Sequence, residues 1–257
     1  MCVKVFFLIL FRSYKDKYFS NDTQMIDKKI NTGKSGNGAR TKTIKLKTAR
    51  GRTTSSQRWL SRQLNDPYVQ EAQRLGYRSR SAFKLLQLDE KFKLLRKGQN
   101  VVDLGAAPGG WTQVTTNKVL ANKTGTVVGL DVLPMDPVSG AILVQADFMT
   151  DEGLASLMKI LNDGVDLVLS DMAASTTGHA PTDHIRTATL CEAAYDFSIG
   201  VLRENGGFLA KVFKGGSEHS LLERMKKDFK SVRHAKPAAS RSESPETYVV
   251  AQGFRVK

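Results

Sequence analysis

Between residues 100 and 171 four short apolar runs each carry an aspartate at or near their end: NVVDLG (100–105), GTVVGLDV (125–132), AILVQAD (141–147) and VDLVLSD (165–171). None alternates cleanly between apolar and polar residues, so both faces of each strand have to be covered, as in a buried parallel sheet. Helical patterns separate these runs and lead on to a fifth, GGFLAKVF (206–213). Strand–helix alternation of this kind builds an α/β domain. Two further runs, SVRHAKP (231–237) and TYVVAQGF (247–254), are joined by a loop carrying Pro237 and Pro245, which predicts a hairpin with an antiparallel last strand. The expectation is a seven-stranded, mostly parallel sheet in a Rossmann-like arrangement. Apolar residues at helical spacing between 57 and 95, broken at Asp66-Pro67 and Gly76, predict two or three helices ahead of the first strand.

Ligands of open α/β sheets bind outside the carboxyl ends of the strands. The segment Asp103-Leu-Gly-Ala-Ala-Pro-Gly-Gly-Trp111 follows the first strand and opens a helix. Its small residues allow a tight turn and close backbone approach to a ligand. Ala107 stands where a GxGxxG loop would have its second glycine, so a phosphate-free ligand such as S-adenosylmethionine fits better than a nicotinamide dinucleotide. Asp131 ends the second strand 26 residues after Gly105, near the spacing at which a carboxylate holds ribose hydroxyls. Asp147 ends the third, where it can accept from an adenine amino group. A lone Gly-rich turn is as often a plain strand-to-helix connection; acids at the tips of strands one to four in succession are not commonplace.

Four more residues lie at or beside the ends of predicted elements. Asp171 closes VDLVLSD, Lys211 lies in GGFLAKV, Glu246 precedes TYVVAQGF, and Lys84 lies in SRSAFKLLQL. A lysine held between another cation and two carboxylates can be tuned to deprotonate a weak nucleophile such as a ribose hydroxyl. A solvated surface charge is the usual fate of a lysine, and the strand-end placement is what argues otherwise. His179 and His184, with Asp183 between them, lack a third ligand in register, so no metal is expected. Ser240 and Ser242 are not set in a GxSxG elbow, and Arg241 between them is expected to meet RNA phosphate.

Charge is unevenly spread. Residues 1–65 hold 15 Lys and Arg against 3 Asp and Glu, whereas residues 99–257 hold 16 against 18. A basic arm beside a near-neutral body favours a polyanion, nucleic acid ahead of a membrane. Residues 1–56 are expected to be a disordered extension, because residues 26–56 are rich in Lys, Arg, Gly, Thr and Ser and poor in core formers. The alternative is a tail that only solubilises. The apolar run in MCVKVFFLILFRSYK is too short to span a bilayer, which needs roughly 20 residues. No small-x-small cleavage site follows it, and Asp16 and Asp22 count against a mitochondrial presequence. Translation starting at Met25 would leave residues 1–24 unmade, and they are set outside the fold. Cys2 and Cys191 make no disulfide framework, which fits a reducing cytoplasm.

The segments DLGAAPGGWTQ, GLDVLPMDP, QADF, LVLSDMA, GGFLAKVF and KPAASRSESPETYVVAQGF resemble, in order, those of the FtsJ-like ribosomal RNA 2′-O-methyltransferases, in particular the bacterial branch (RlmE) that modifies a uridine of large-subunit rRNA. The resemblance covers about residues 57–257. It implies a class I methyltransferase domain over those residues and S-adenosylmethionine as methyl donor. It also implies a catalytic set of Lys84, Asp171, Lys211 and Glu246, and cofactor contacts at Gly109, Trp111, Asp131, Asp147 and Asp171. Lys211 is then the expected base, Glu246 would position its ammonium, and Asp171 would orient the lysine or the acceptor ribose. The implied partner is large-subunit rRNA, within the large subunit late in its assembly, met by a monomer with no membrane attachment. A non-catalytic RNA-binding assembly factor and the same chemistry on tRNA stay open as alternatives. The first 56 residues have no counterpart in the resemblance.

Overall fold

The computed structural model describes residues 53–256 apart from 121–123, 162–163, 175–176 and 214–218. The expectations for residues 1–52 therefore lie outside the described residues. The first helix, α1 (Thr54–Leu64), begins three residues before the boundary expected at 57, because Thr53 caps it by accepting from the Ser56 amide. Asp66-Pro67, expected as a break, starts a new helix. Asp66 accepts from the Tyr68 amide at 3.0 Å and Pro67 takes the first turn of α2 (Pro67–Leu75), which Gly76 stops at φ +75°. The third, α3 (Ala82–Phe92), buries Ala82, Leu85 and Leu88 along one face.

The remaining elements are β1 (Asn100–Leu104), α4 (Gly110–Val119), β2 (Thr126–Asp131), β3 (Ala141–Gln145), α5 (Asp151–Met158), β4 (Val165–Ser170), α6 (Ala180–Val201), β5 (Leu202–Phe213), α7 (His219–Asp228), β6 (Phe229–Ala235) and β7 (Glu246–Phe254). They form a seven-stranded sheet of order β3-β2-β1-β4-β5-β7-β6. The first five strands run parallel; β7 pairs antiparallel with both β5 and β6. This is the expected arrangement. The non-alternating runs of β1, β2 and β4 find cover on both faces, whereas β3, at the sheet edge, leaves Ile142 exposed. One layer joins Cys191, Ala194 and Tyr195 of α6 with Met225 of α7 and strand residues such as Val102, Val168 and Phe208. The opposite layer joins Leu85 and Leu88 of α3 with Trp111 and Val114 of α4 and Val101, Leu167 and Leu209. Along β7, Tyr248 and Val250 enter one layer and Val249 and Ala251 the other, the two-residue period of a strand.

The strand order reverses between β1 and β4, so the crevice opens at their carboxyl ends. Gly105, directly after β1, has φ +74°, and a Cβ there would lie 2.9 Å from both the amide nitrogen and the Cα of Met172. The loops after β1 and β4 thus approach more closely than a side chain at 105 would allow. Among the described residues, no helix is long and apolar enough to cross a membrane.

Candidate active site

Asp171 leaves β4 tied to β1 by its amide, which donates to the Leu104 carbonyl at 3.1 Å. Lys211, on the neighbouring strand β5, aims its ammonium at that turn. Its Nζ donates to the Asp171 carbonyl oxygen at 2.6 Å and lies 3.1 Å from Asp171 Oδ1. Tyr248 faces Lys211 in the β5–β7 register and donates its hydroxyl to the same Asp171 Oδ1 at 2.8 Å. Burial pushes the Asp171 carboxyl up, but the charges of Lys211 and Lys84 and the Tyr248 and Lys211 hydrogen bonds hold it below the ordinary carboxylate value. The Tyr248 hydroxyl is driven well above its usual range by burial and by the Asp171 and Glu246 charges.

Lys84 comes from α3 to meet the first residue of β7. Its Nζ donates to Glu246 Oε2 at 2.7 Å, and Glu246 Oε1 accepts from Ser240 Oγ at 2.7 Å. The Lys84 ammonium also lies 5.8 Å from the centroid of the Tyr248 ring. All four predicted residues therefore converge, but as two ion pairs: Lys211 with Asp171, and Lys84 with Glu246. The expectation that Glu246 positions the Lys211 ammonium is corrected, since Glu246 holds Lys84. The two pairs meet around Tyr248.

The predicted cofactor residues line the adjacent strand ends. Asp131 accepts from the Ala107 amide through Oδ2 at 2.9 Å and from the Leu133 amide through Oδ1 at 2.8 Å, which fixes its carboxylate and leaves a second lone pair on each oxygen. Burial pushes this carboxyl up, against the hydrogen bonds from Leu133 and Ala107. Asp147, two residues beyond β3, accepts from the Met149 amide at 3.0 Å. Gly109 caps α4 at φ +106°. The Trp111 indole is buried, donates to the Ser81 carbonyl at 2.8 Å, and packs on Tyr248.

Asp103 departs from the expectation of acids at strand tips. It lies inside β1, fully buried, with one oxygen accepting from Thr112 Oγ1 at 2.7 Å and the other without a hydrogen-bond partner. Burial, opposed by the Thr112 hydrogen bond and reinforced by Asp171 and Asp131, pushes its carboxyl up to about 7.

Sequence reasoning missed Tyr248 and Ser240 as parts of the site, and it set Asp103 at a strand tip where the structure buries it inside β1. Tyr248 was within reach, because the two-residue strand period sets it on the face of Glu246. Ser240 was considered only as a nucleophile. The loop residues His179 and His184 serve other contacts: His179 Nδ1 lies 2.8 Å from Thr182 Oγ1, and the His184 ring rests on Phe213. Asp183 accepts from the amide and hydroxyl of Thr177, both at 2.8 Å.

A Rossmann-like sheet whose carboxyl-end crevice holds paired lysines and carboxylates beside a small-residue loop defines a class, the FtsJ-like methyltransferases. The profile of that family, FtsJ-like methyltransferase, matches residues 77–254, a span that holds every residue of the two ion pairs, and the chain belongs to it. Among its relatives, the Ribosomal RNA large subunit methyltransferase E of Paramagnetospirillum magneticum is 58% identical over 221 residues, covering 85% of this chain and 91% of the relative. The protein of the same name from Rhodospirillum rubrum is 55% identical over 225 residues, covering 87% and 86%. A solved Plasmodium falciparum chain classed with the ribosomal RNA methyltransferases superposes with a TM-score of 0.64 at 29% identity, covering 70% of this chain and 100% of its own.

Proposed function

We propose that this enzyme methylates the 2′-hydroxyl of a uridine ribose in large-subunit ribosomal RNA, with S-adenosylmethionine as donor, acting as a cytoplasmic monomer on the large subunit late in its assembly. The observation that carries this reading is the meeting of the Lys211–Asp171 and Lys84–Glu246 pairs at the carboxyl-end crevice. The donor set fits the cofactor. Asp131 is oriented by two backbone amides with lone pairs left for ribose hydroxyls, and Asp147 stands at the next strand for the adenine amino group. When bound, S-adenosylmethionine supplies a methyl group on a positively charged sulfur.

The chain's own residues then align the acceptor and take its proton. An ammonium or amine nitrogen offers three directions besides its own carbon. Asp171 occupies two of them on Lys211; acting as the neutral amine, Lys211 keeps its two N–H groups on Asp171 and its lone pair takes the proton of the acceptor hydroxyl. Lys84, fixed by Glu246, offers its remaining N–H groups to the ribose oxygen and phosphate of the same nucleotide. Alignment and proton removal are the two contributions such a displacement needs. The test is mass spectrometry of ribose methylation in large-subunit rRNA from cells with and without the protein. A full set of modifications in its absence would end this reading, and a methyl group lost from tRNA instead would move the substrate.

A further inference from the structure

The turn between α1 and α2 and the loop from β6 to β7 enclose a groove of about 680 Å³, next to the catalytic pairs but not part of them. Its described charged lining is Arg62, Arg80, Lys236 and Arg241 against Asp66 and Glu243, an excess of cations. Two of the cations are committed within the protein. Lys236 donates to the carbonyls of Ser242 and Ser244 at 3.0 and 2.7 Å. Arg80 donates to the Ala239 carbonyl at 2.7 Å and pairs with Asp66 at 2.9 Å. Arg62 sits 3.8 Å from Glu243 in solvent.

Arg241 is the exception. Its side chain is only 26% exposed and its Nε, like that of Arg80, is buried with no hydrogen-bond partner, but where Arg80 has Asp66 at 2.9 Å and the Ala239 carbonyl, the nearest carboxylate to Arg241 is the same Asp66 at 3.8 Å. A guanidinium presents five donors, and covering them without acceptors is costly unless an anion completes the site. The fork geometry matches the two free oxygens of a phosphodiester. The neighbouring residue, Ser240, holds Glu246 Oε1, so an anion on Arg241 lies one residue from the side chain that orients the Lys84–Glu246 pair.

We infer that this groove is a phosphate subsite for a nucleotide flanking the methylated one, with Arg241 as its anchor and Asp66 as the counter-charge that the RNA phosphate competes with. The inference rests on the proposed RNA substrate and adds where the neighbouring nucleotide is held. It sets the strand's path: the target ribose lies between the two ion pairs, and the adjoining backbone runs toward the α1–α2 turn.

The test compares the full-length protein with Arg241→Ala and Asp66→Asn, using a large-subunit rRNA fragment and measuring RNA affinity across a salt series together with methyl-transfer kinetics. Arg241→Ala should flatten the log-affinity against log-salt slope by about 0.7–0.9, one phosphate's worth. It should raise KM for RNA about ten-fold, with the loss in KM exceeding that in kcat. Asp66→Asn keeps the amide acceptor for Tyr68 but removes the competing charge, so RNA should bind several-fold more tightly, an effect that a purely structural role would not produce. If the wild type methylates the fragment while Arg241→Ala leaves slope and KM unchanged, or Asp66→Asn weakens binding, the groove is not a phosphate site and the proposed function stands. If Arg241→Ala still loses one phosphate from the slope while the wild type transfers no methyl group to large subunits taken from cells lacking the protein, the groove stands and the proposed reaction falls.

Discussion

Single side chains in this crevice divide by what they address. In the proposed reaction Lys211 faces the acceptor and Asp131 the cofactor, so their removal should have opposite kinetic signatures. Lys211→Ala is expected to abolish methyl transfer while S-adenosylmethionine binding stays within a few-fold of wild type. Asp131→Ala should weaken cofactor binding by about ten- to a hundred-fold, since hydrogen bonds to a charged group are worth roughly 1.5–3 kcal/mol, with turnover largely recovered at saturating cofactor. Calorimetry beside a tritiated-methyl assay separates the two, and appreciable transfer by Lys211→Ala would remove it from the base role. Asp103 and Asp171 behave oppositely toward pH. Asp103, raised from 3.8 to about 7, holds its proton in the folded state after the unfolded chain has released it. Its contribution therefore lowers stability as pH rises from about 4 to about 7, by an amount on the order of 4 kcal/mol at roughly 1.36 kcal/mol per pH unit. Asp171, held below the ordinary carboxylate value, contributes stability above that value and loses it as pH falls through its own lowered value. Asp103→Asn should thus be more stable than wild type at pH 8 and show a flatter decline between pH 4 and 7 in urea melts of the ligand-free protein. An unchanged difference between the two proteins across that range would contradict the assignment.

At the scale of elements, the turn after β1 packs too closely for a side chain. Gly105→Ala forces an alanine into left-handed backbone, which costs about 1–2 kcal/mol, and sets its Cβ against the Met172 backbone. Denaturant melts should show a loss of at least that size, together with impaired catalysis, because Met172 follows Asp171. A variant as stable as wild type would mean that the two loops separate freely. Strand positions were legible in the sequence because burial on both faces leaves uninterrupted apolar runs, and the hairpin of β6 and β7 was legible because no helical pattern lies between them. The start of β5 was not: Arg203, Glu204 and Asn205 are polar and exposed, with Asn205 at φ +63°, yet the strand begins at Leu202, which pairs with Val165 across an irregular register. The site was legible in its membership but not in its pairing. Sequence gives the strand ends that bring residues to one crevice, whereas which lysine meets which carboxylate depends on α3 approaching β7, a contact spanning 162 positions.

For the whole molecule, charge separates the arm from the catalytic body. Residues 1–52 contain 13 Lys and Arg against 3 Asp. Removing them while keeping the Thr53 cap should leave cofactor affinity and the methylated position unchanged. If three or four phosphate contacts are lost, the salt slope of RNA binding should flatten by about 2–3 units. An identical slope in the truncated and full-length proteins would leave the arm a solubilising tail. The position of β7 has a further consequence, for synthesis. It is the last of the described strands to leave the ribosome, yet it lies inside the sheet, between β5 and β6. Until it arrives, the outer edge of β5 is open and β6 has no partner, a state in which a nascent chain offers unpaired strand edges to chaperones or to other chains. Glu246 and Tyr248 enter with that same strand. The growing polypeptide can therefore assemble the cofactor side of its crevice first, and gains the groups that orient Lys84 and Asp171 only when the final strand has slotted home.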